Sequence, residues 1–168
     1  MVLGMSVEAF TVLHVIISLV AILSGFVVLL GLLGSQQAKS WTGVFLLFTF
    51  LTSATGFLFP FTQFLPSHLF GIISIVLLAI TVPAIYQFHL AGFWRPVYVI
   101  GTVILLYLNV FVLVVQGFLK VPFLNALAPT QDHPVFAVSQ LLVLVMFAWL
   151  GFKAVRKFHP HLPRSASV

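Results

Sequence analysis

The chain has 168 residues, 62% of them hydrophobic and 5% charged, with a formal net charge of +5 and no cysteine. Soluble domains carry roughly 25% charged residues, so this composition cannot cover a water-exposed globule and an all-α, membrane-embedded chain is expected instead. Without cysteine there are no disulfides, iron–sulfur clusters, thiolate metal sites or cysteine nucleophiles, and seven basic residues, four of them near the C-terminus, mark membrane orientation and no nucleic-acid partner.

The opening MVLGMSVEAF carries Glu8 and no basic residue. It lacks the basic start of a cleavable signal, so the first apolar run is expected to remain as a helix. A helix crossing the hydrocarbon core needs about 20 apolar residues. Five stretches qualify: residues 9–33, 41–59, 68–88, 97–118 and 134–152. Gly34-Ser35-Gln36-Gln37 breaks the first and Pro60 stops the second. Pro66-Ser67, Arg95-Pro96 and Asp132-His133-Pro134 open the last three, with proline suited to a first helical turn. Pro83 falls inside the third and is expected to kink it. The expected organisation is one five-helix domain over residues 1–157 and a short polar cytoplasmic tail over 158–168.

In a five-span chain Lys39, Arg95, Lys153, Arg156, Lys157 and Arg164 fall on one side and Lys120 on the other. The positive-inside rule then puts the N-terminus outside and the C-terminus in the cytoplasm. Trp41, Trp94 and Trp149 all come to the cytoplasmic interface, where indoles settle. The first four spans also read as a tandem repeat of two hairpins: His14 precedes Trp41 by 27 residues and His68 precedes Trp94 by 26. LHVIISLVAIL around His14 resembles SHLFGIISIVLL around His68. Such hairpins would be related by a pseudo-twofold along the membrane normal.

Polar residues inside a bilayer face the bundle or a cavity. The first span shows Thr11, His14, Ser18, Ala21 and Gly25 at alternating three and four spacing, and the second Thr42, Thr49 and Gly56 seven apart, with Thr52 and Ser53 nearby. Ser67, Gly71, Ser74 and Thr81 mark the third span, with His68 at the edge of that stripe; Tyr98, Thr102, Asn109 and Gln116 mark the fourth. His133, Ala137, Gln140, Ala148 and Gly151 mark the fifth. For the small residues helix packing explains the pattern. Ser18, Asn109, Gln116 and Gln140 form the expected polar core; large amides cost more in hydrocarbon and call for a further reason.

His14, His68 and His133 all fall toward the outer side, near Glu8, Gln63, Gln116 and Asp132, while His89 lies at the inner interface. Imidazole ligates haem iron, zinc and copper and carries protons near neutral pH. His14 and His68, at matching places on parallel helices, suit the two axial ligands of a b-type haem, with Gly25 and Gly71 where a macrocycle could approach backbone. A copper or zinc site adding His133 is a second option. Against both, His68 and His133 stand at helix starts beside Ser67 and Asp132, where capping accounts for them, and His14 could bond another helix. A cofactor-free bundle is an equal expectation. Residues 119–133 form the longest connection, expected to hold a short surface segment over the outer end. Glu8 and Asp132 are the only acidic residues, which excludes paired-carboxylate catalysis, and no phosphate loop, His-Glu-x-x-His pattern or nucleophile elbow is present.

Over most of its length the chain resembles small uncharacterised bacterial inner-membrane proteins of four or five helices. Its His14 and His68 arrangement is similar to that of di-histidine membrane cytochromes b. In size and helix count it also looks like the tryptophan-rich sensory proteins, five-helix binders of porphyrins and sterols, from which it departs by having three tryptophans and no Trp-x-Pro-Pro run. The resulting expectation is a bacterial inner-membrane protein binding haem b or a divalent metal, for electron transfer or respiratory-complex assembly. The alternative is a cofactor-free binder or carrier of a hydrophobic small molecule, or a structural subunit of a larger membrane complex.

Overall fold

The structure is a computed structural model, and it describes residues 1–60 and 66–160. Gln63, His161 and Arg164 lie outside the described residues. The described chain is helical throughout: α1 (Val7–Leu33), α2 (Lys39–Phe57), α3 (Pro66–Tyr86), α4 (Trp94–Lys120), α5 (Pro122–Leu127) and α6 (Pro134–Lys157). Five of these, all but α5, are long and apolar enough to cross a membrane.

Backbone polar groups in an apolar surround must be satisfied within the segment, and the sequence supplies the means. Ser6 Oγ accepts from Ala9 N at 3.1 Å and caps α1. Hydroxyls inside the helices turn back on their own carbonyls, as Ser24 Oγ does to Val20 O at 2.6 Å. Pro134 occupies the first turn of α6, and His133 caps it. Pro83 stands in the last turn of α3. The helices run past the apolar stretches at several ends because polar first and last turns, such as Lys39-Ser40 and Lys153–Lys157, remain helical outside the most apolar window.

α1 packs on α2, α2 on α3, α3 on α4, and α4 returns to α1, so four helices close a ring. α6 lies outside it against α4 and α1, and α5 folds back on α4. The core is strongest toward the end where α2 and α4 begin: Phe45, Leu105, Leu106 and Phe158 are fully buried there. Gly25 marks the closest approach. A Cβ on it would fall 2.6 Å from Leu106 Cδ1 and 2.8 Å from the Phe45 ring. This glycine therefore serves helix packing, and the expected role beside a macrocycle is corrected: side chains of α2 and α4 already fill its face. On the outer surface the rule of soluble proteins is reversed, with Leu141, Leu142, Val145 and Phe152 of α6 among many exposed apolar side chains.

The packed body reaches beyond residue 157. Phe158 is buried against Tyr98, with ring centroids 6.0 Å apart. Arg95 Nη1 donates to Phe158 O at 3.1 Å, and His159 N donates to Ser35 Oγ at 2.9 Å. The start of the expected tail is thus tied to the bundle by an aromatic plug and two hydrogen bonds.

Candidate functional site: a cavity inside the four-helix ring

At the end of the ring where α1 and α3 begin and α2 and α4 finish, the helices line a partly open cavity of about 600 Å³. That lies within the ordinary range of small-molecule sites, about 300–1,000 Å³. His14, His68, Ser18, Asn109 and Gln116 all line it. So do Thr52, Ser53, Gly56, Gly71 and Ser74, with apolar wall from Ile22, Phe57, Phe59, Phe70, Leu108 and Val112. Gln116 and Lys120, both exposed, stand at the end of α4. The members of the α1–α4 stripes at this end converge here because three- and four-residue spacing keeps one face of each helix toward the ring's interior.

His14 is the best-defined polar group. Its Nδ1 lies 2.7 Å from Thr55 Oγ1 on α2. Thr55 Oγ1 is itself 2.7 Å from Leu51 O, a group that can only accept. The hydroxyl proton therefore goes to Leu51 O, and the Thr55 oxygen accepts from an Nδ1–H of His14. That leaves the lone pair on Nε2. The ring also meets Phe59 edge-on, with centroids 5.3 Å apart at 90°. Gly56 makes room for it: a Cβ there would come 3.8 Å from His14 Cε1.

His68 is buried and stacks on Phe57 at 5.9 Å with 16° between planes. Gly71, one turn on, carries the same aromatic ring so closely that a Cβ would lie 2.9 Å from Phe57 Cζ. Asn109 Nδ2 donates to Thr49 Oγ1 at 3.3 Å and to Leu105 O at 3.0 Å.

Two expected members stand elsewhere. His133 does not line the cavity; its Nδ1 accepts from Val135 N at 3.3 Å, the capping role its place before Pro134 allows. Among the described residues no three of His, Cys, Asp and Glu gather where they could hold a metal. The three-histidine copper or zinc site is therefore not formed. Gln140 is buried as expected but faces α4 through Nε2–H···O=C of Phe111 at 3.2 Å, and its Oε1 has no partner among the described residues. His89 is exposed and bonds Gln87 O.

Sequence reasoning missed Thr55. Thr55 lies one residue off the Thr42–Thr49–Gly56 stripe, on the edge of α2 that meets α1, so the sevenfold pattern pointed past it. Thr52 Oγ1 is buried at the cavity with no partner among the described residues. The connection after α4 does contain a short helix, α5, held by Asn125 Nδ2 donating to Phe118 O at 3.1 Å. No family model, curated protein or solved structure matches this chain.

Proposed function

We propose that the chain is an integral membrane protein that binds one largely apolar small molecule in the cavity of the α1–α4 ring. The carrying observation is that cavity: about 600 Å³, walled by aromatic and aliphatic side chains, with His14, His68, Ser18, Asn109 and Gln116 converging on it. The opposite half of the ring is by contrast closely packed, with Leu106 and Phe45 against Gly25. The test is native mass spectrometry of protein purified in mild detergent, with organic extraction of whatever it carries. A bound small molecule at one per chain is expected. Protein that carries nothing, and takes up no apolar compound when offered a panel, would overturn the reading.

A second reading, haem b, has its own observation. His14 Nδ1 is held by Thr55 while Nε2 keeps its lone pair, the arrangement by which a second partner orients a metal-binding imidazole. His14 and His68 would hold the iron, and the group would supply one-electron chemistry. Absorption spectra of the oxidised and reduced protein decide between the two. With haem, His14→Ala abolishes the sharp reduced bands and His89→Ala leaves them. A featureless visible spectrum, unchanged on adding haem, removes this reading.

We further infer that the N-terminus is outside and the C-terminus in the cytoplasm of a bacterial inner membrane, so that the cavity opens outward. The basic residues Lys39, Arg95, Lys153, Arg156 and Lys157 at the far end of the bundle support this orientation. The suspected pair of hairpins is supported by the ring order, in which α1 and α3 stand opposite each other and both present a histidine to one cavity.

A further inference from the structure

Three hydroxyl-bearing side chains of the cavity, Thr11, Ser18 and Ser53, commit their protons to their own helices. Thr11 Oγ1 donates to Val7 O at 2.8 Å, Ser18 Oγ to His14 O at 2.8 Å, and Ser53 Oγ to Thr49 O at 3.1 Å. Each proton is committed to a helix carbonyl four residues back, so each oxygen turns only lone pairs toward the interior. His14 behaves in the same way. Thr55 takes its Nδ1–H because the Thr55 proton belongs to Leu51 O. Nε2, the remaining ring nitrogen, makes no hydrogen bond among the described residues, and the His14 side chain lines the cavity. The wall around His14 is therefore rich in acceptors.

An acceptor-rich wall in an apolar cavity discriminates by chemistry. A ligand whose polar end donates a hydrogen bond satisfies Nε2. A ligand whose polar end only accepts leaves that lone pair unpaired and sets like poles against each other, which is costly where water is excluded. Of the unpartnered buried hydroxyls among the described residues, Thr52 Oγ1 lines the cavity, and it can donate as well as accept. A ligand hydroxyl matches both needs, because it gives one proton and keeps lone pairs. An amide end is bulkier, and a carboxylate has no proton to give to Nε2.

We infer that this cavity selects apolar molecules ending in a hydroxyl, an alcohol or phenol, donated to His14 Nε2, over molecules of the same shape whose polar end only accepts. The inference rests on the small-molecule reading above and deepens it. Thr55 is a positioning residue here, since it touches the histidine and acts on the ligand through the tautomer.

The experiment compares para-nonylphenol with its O-methyl ether, which keeps the ring and tail and removes the proton. Binding to the purified full chain in detergent is measured by calorimetry, for the native protein and for Thr55→Val and Thr55→Ser. The phenol is expected to bind about tenfold or more tightly than the ether, the scale of one well-placed hydrogen bond. Thr55→Val, nearly the same shape without the hydroxyl, should bring the ratio close to one while the ether's affinity stays, and Thr55→Ser should restore it. Nitrogen NMR of the ligand-free native protein should show His14 with a protonated Nδ1 and a bare Nε2. Equal binding of phenol and ether by the native chain would overturn the inference and leave the binding function standing. Binding of neither compound counts against the small-molecule reading itself. A protonated Nε2 would overturn the tautomer argument directly.

Discussion

Asn109 on α4 donates through Nδ2 to Thr49 Oγ1 on α2 at 3.3 Å, joining two helices that stand across the ring from each other. A second tie of the same kind lies farther along the same helices, where Thr42 Oγ1 and Tyr98 Oη are 3.1 Å apart. Thr42 also donates to Ala38 O at 2.9 Å, so the tyrosine hydroxyl is the donor between them. Both cross-links tie α2 to α4.

Replacing Asn109 by Leu should cost modestly, because interhelical hydrogen bonds in membrane proteins average about 0.6 kcal/mol. The coupling should appear in a double-mutant cycle with Thr49→Val, followed by detergent unfolding, at about that size. A coupling of zero would mean that the two side chains do not meet.

Gly25 and Gly43 make opposite predictions for the same substitution. Gly25→Ala drives a methyl against Leu106 and Phe45, both buried, and overpacking of this kind costs about 1–3 kcal/mol. Gly43→Ala meets only Tyr86 Oη at an ordinary 3.5 Å, and alanine is the better helix former by up to about 1 kcal/mol. Thermal unfolding should therefore fall for the first variant and hold or rise for the second.

Reporter fusions test orientation. Those placed after Lys39, after Arg95 and at the C-terminus should read cytoplasmic, and those near Gln63 and Asn125 external. An external C-terminus would turn the cavity to the cytoplasm.

Much of this was legible in the sequence, and the residues show why. Apolar runs located every long helix, because hydropathy reports the hydrocarbon core directly. The runs missed the polar turns at the helix ends, such as Val7-Glu8 and Arg95, where hydropathy falls but hydrogen bonding continues. Helical spacing brought His14, Ser18, Asn109 and Gln116 to one interior, since phase along a helix is local information. The helix-start position of His133 pointed to the cap it forms, but spacing could not tell that Gln140 turns to Phe111, because that depends on how α6 docks outside the ring. The bond between His14 and Thr55 spans 41 residues and depends on the rotation of α1 against α2, which no single stripe encodes.

Filling the cavity tests most directly whether it is a ligand site. Ser18 lines the cavity, and its hydroxyl bonds only its own helix, so Ser18→Phe removes space without breaking a tie between helices. Binding of a lipophilic fluorescent probe should be measured for the native chain and this variant, with thermal unfolding as the check on folding. The native chain should bind one probe per chain and the folded variant should lose most of that affinity. Equal binding by a folded Ser18→Phe protein would contradict the account, because the probe would then be sitting on the lipid-facing surface and not inside the ring.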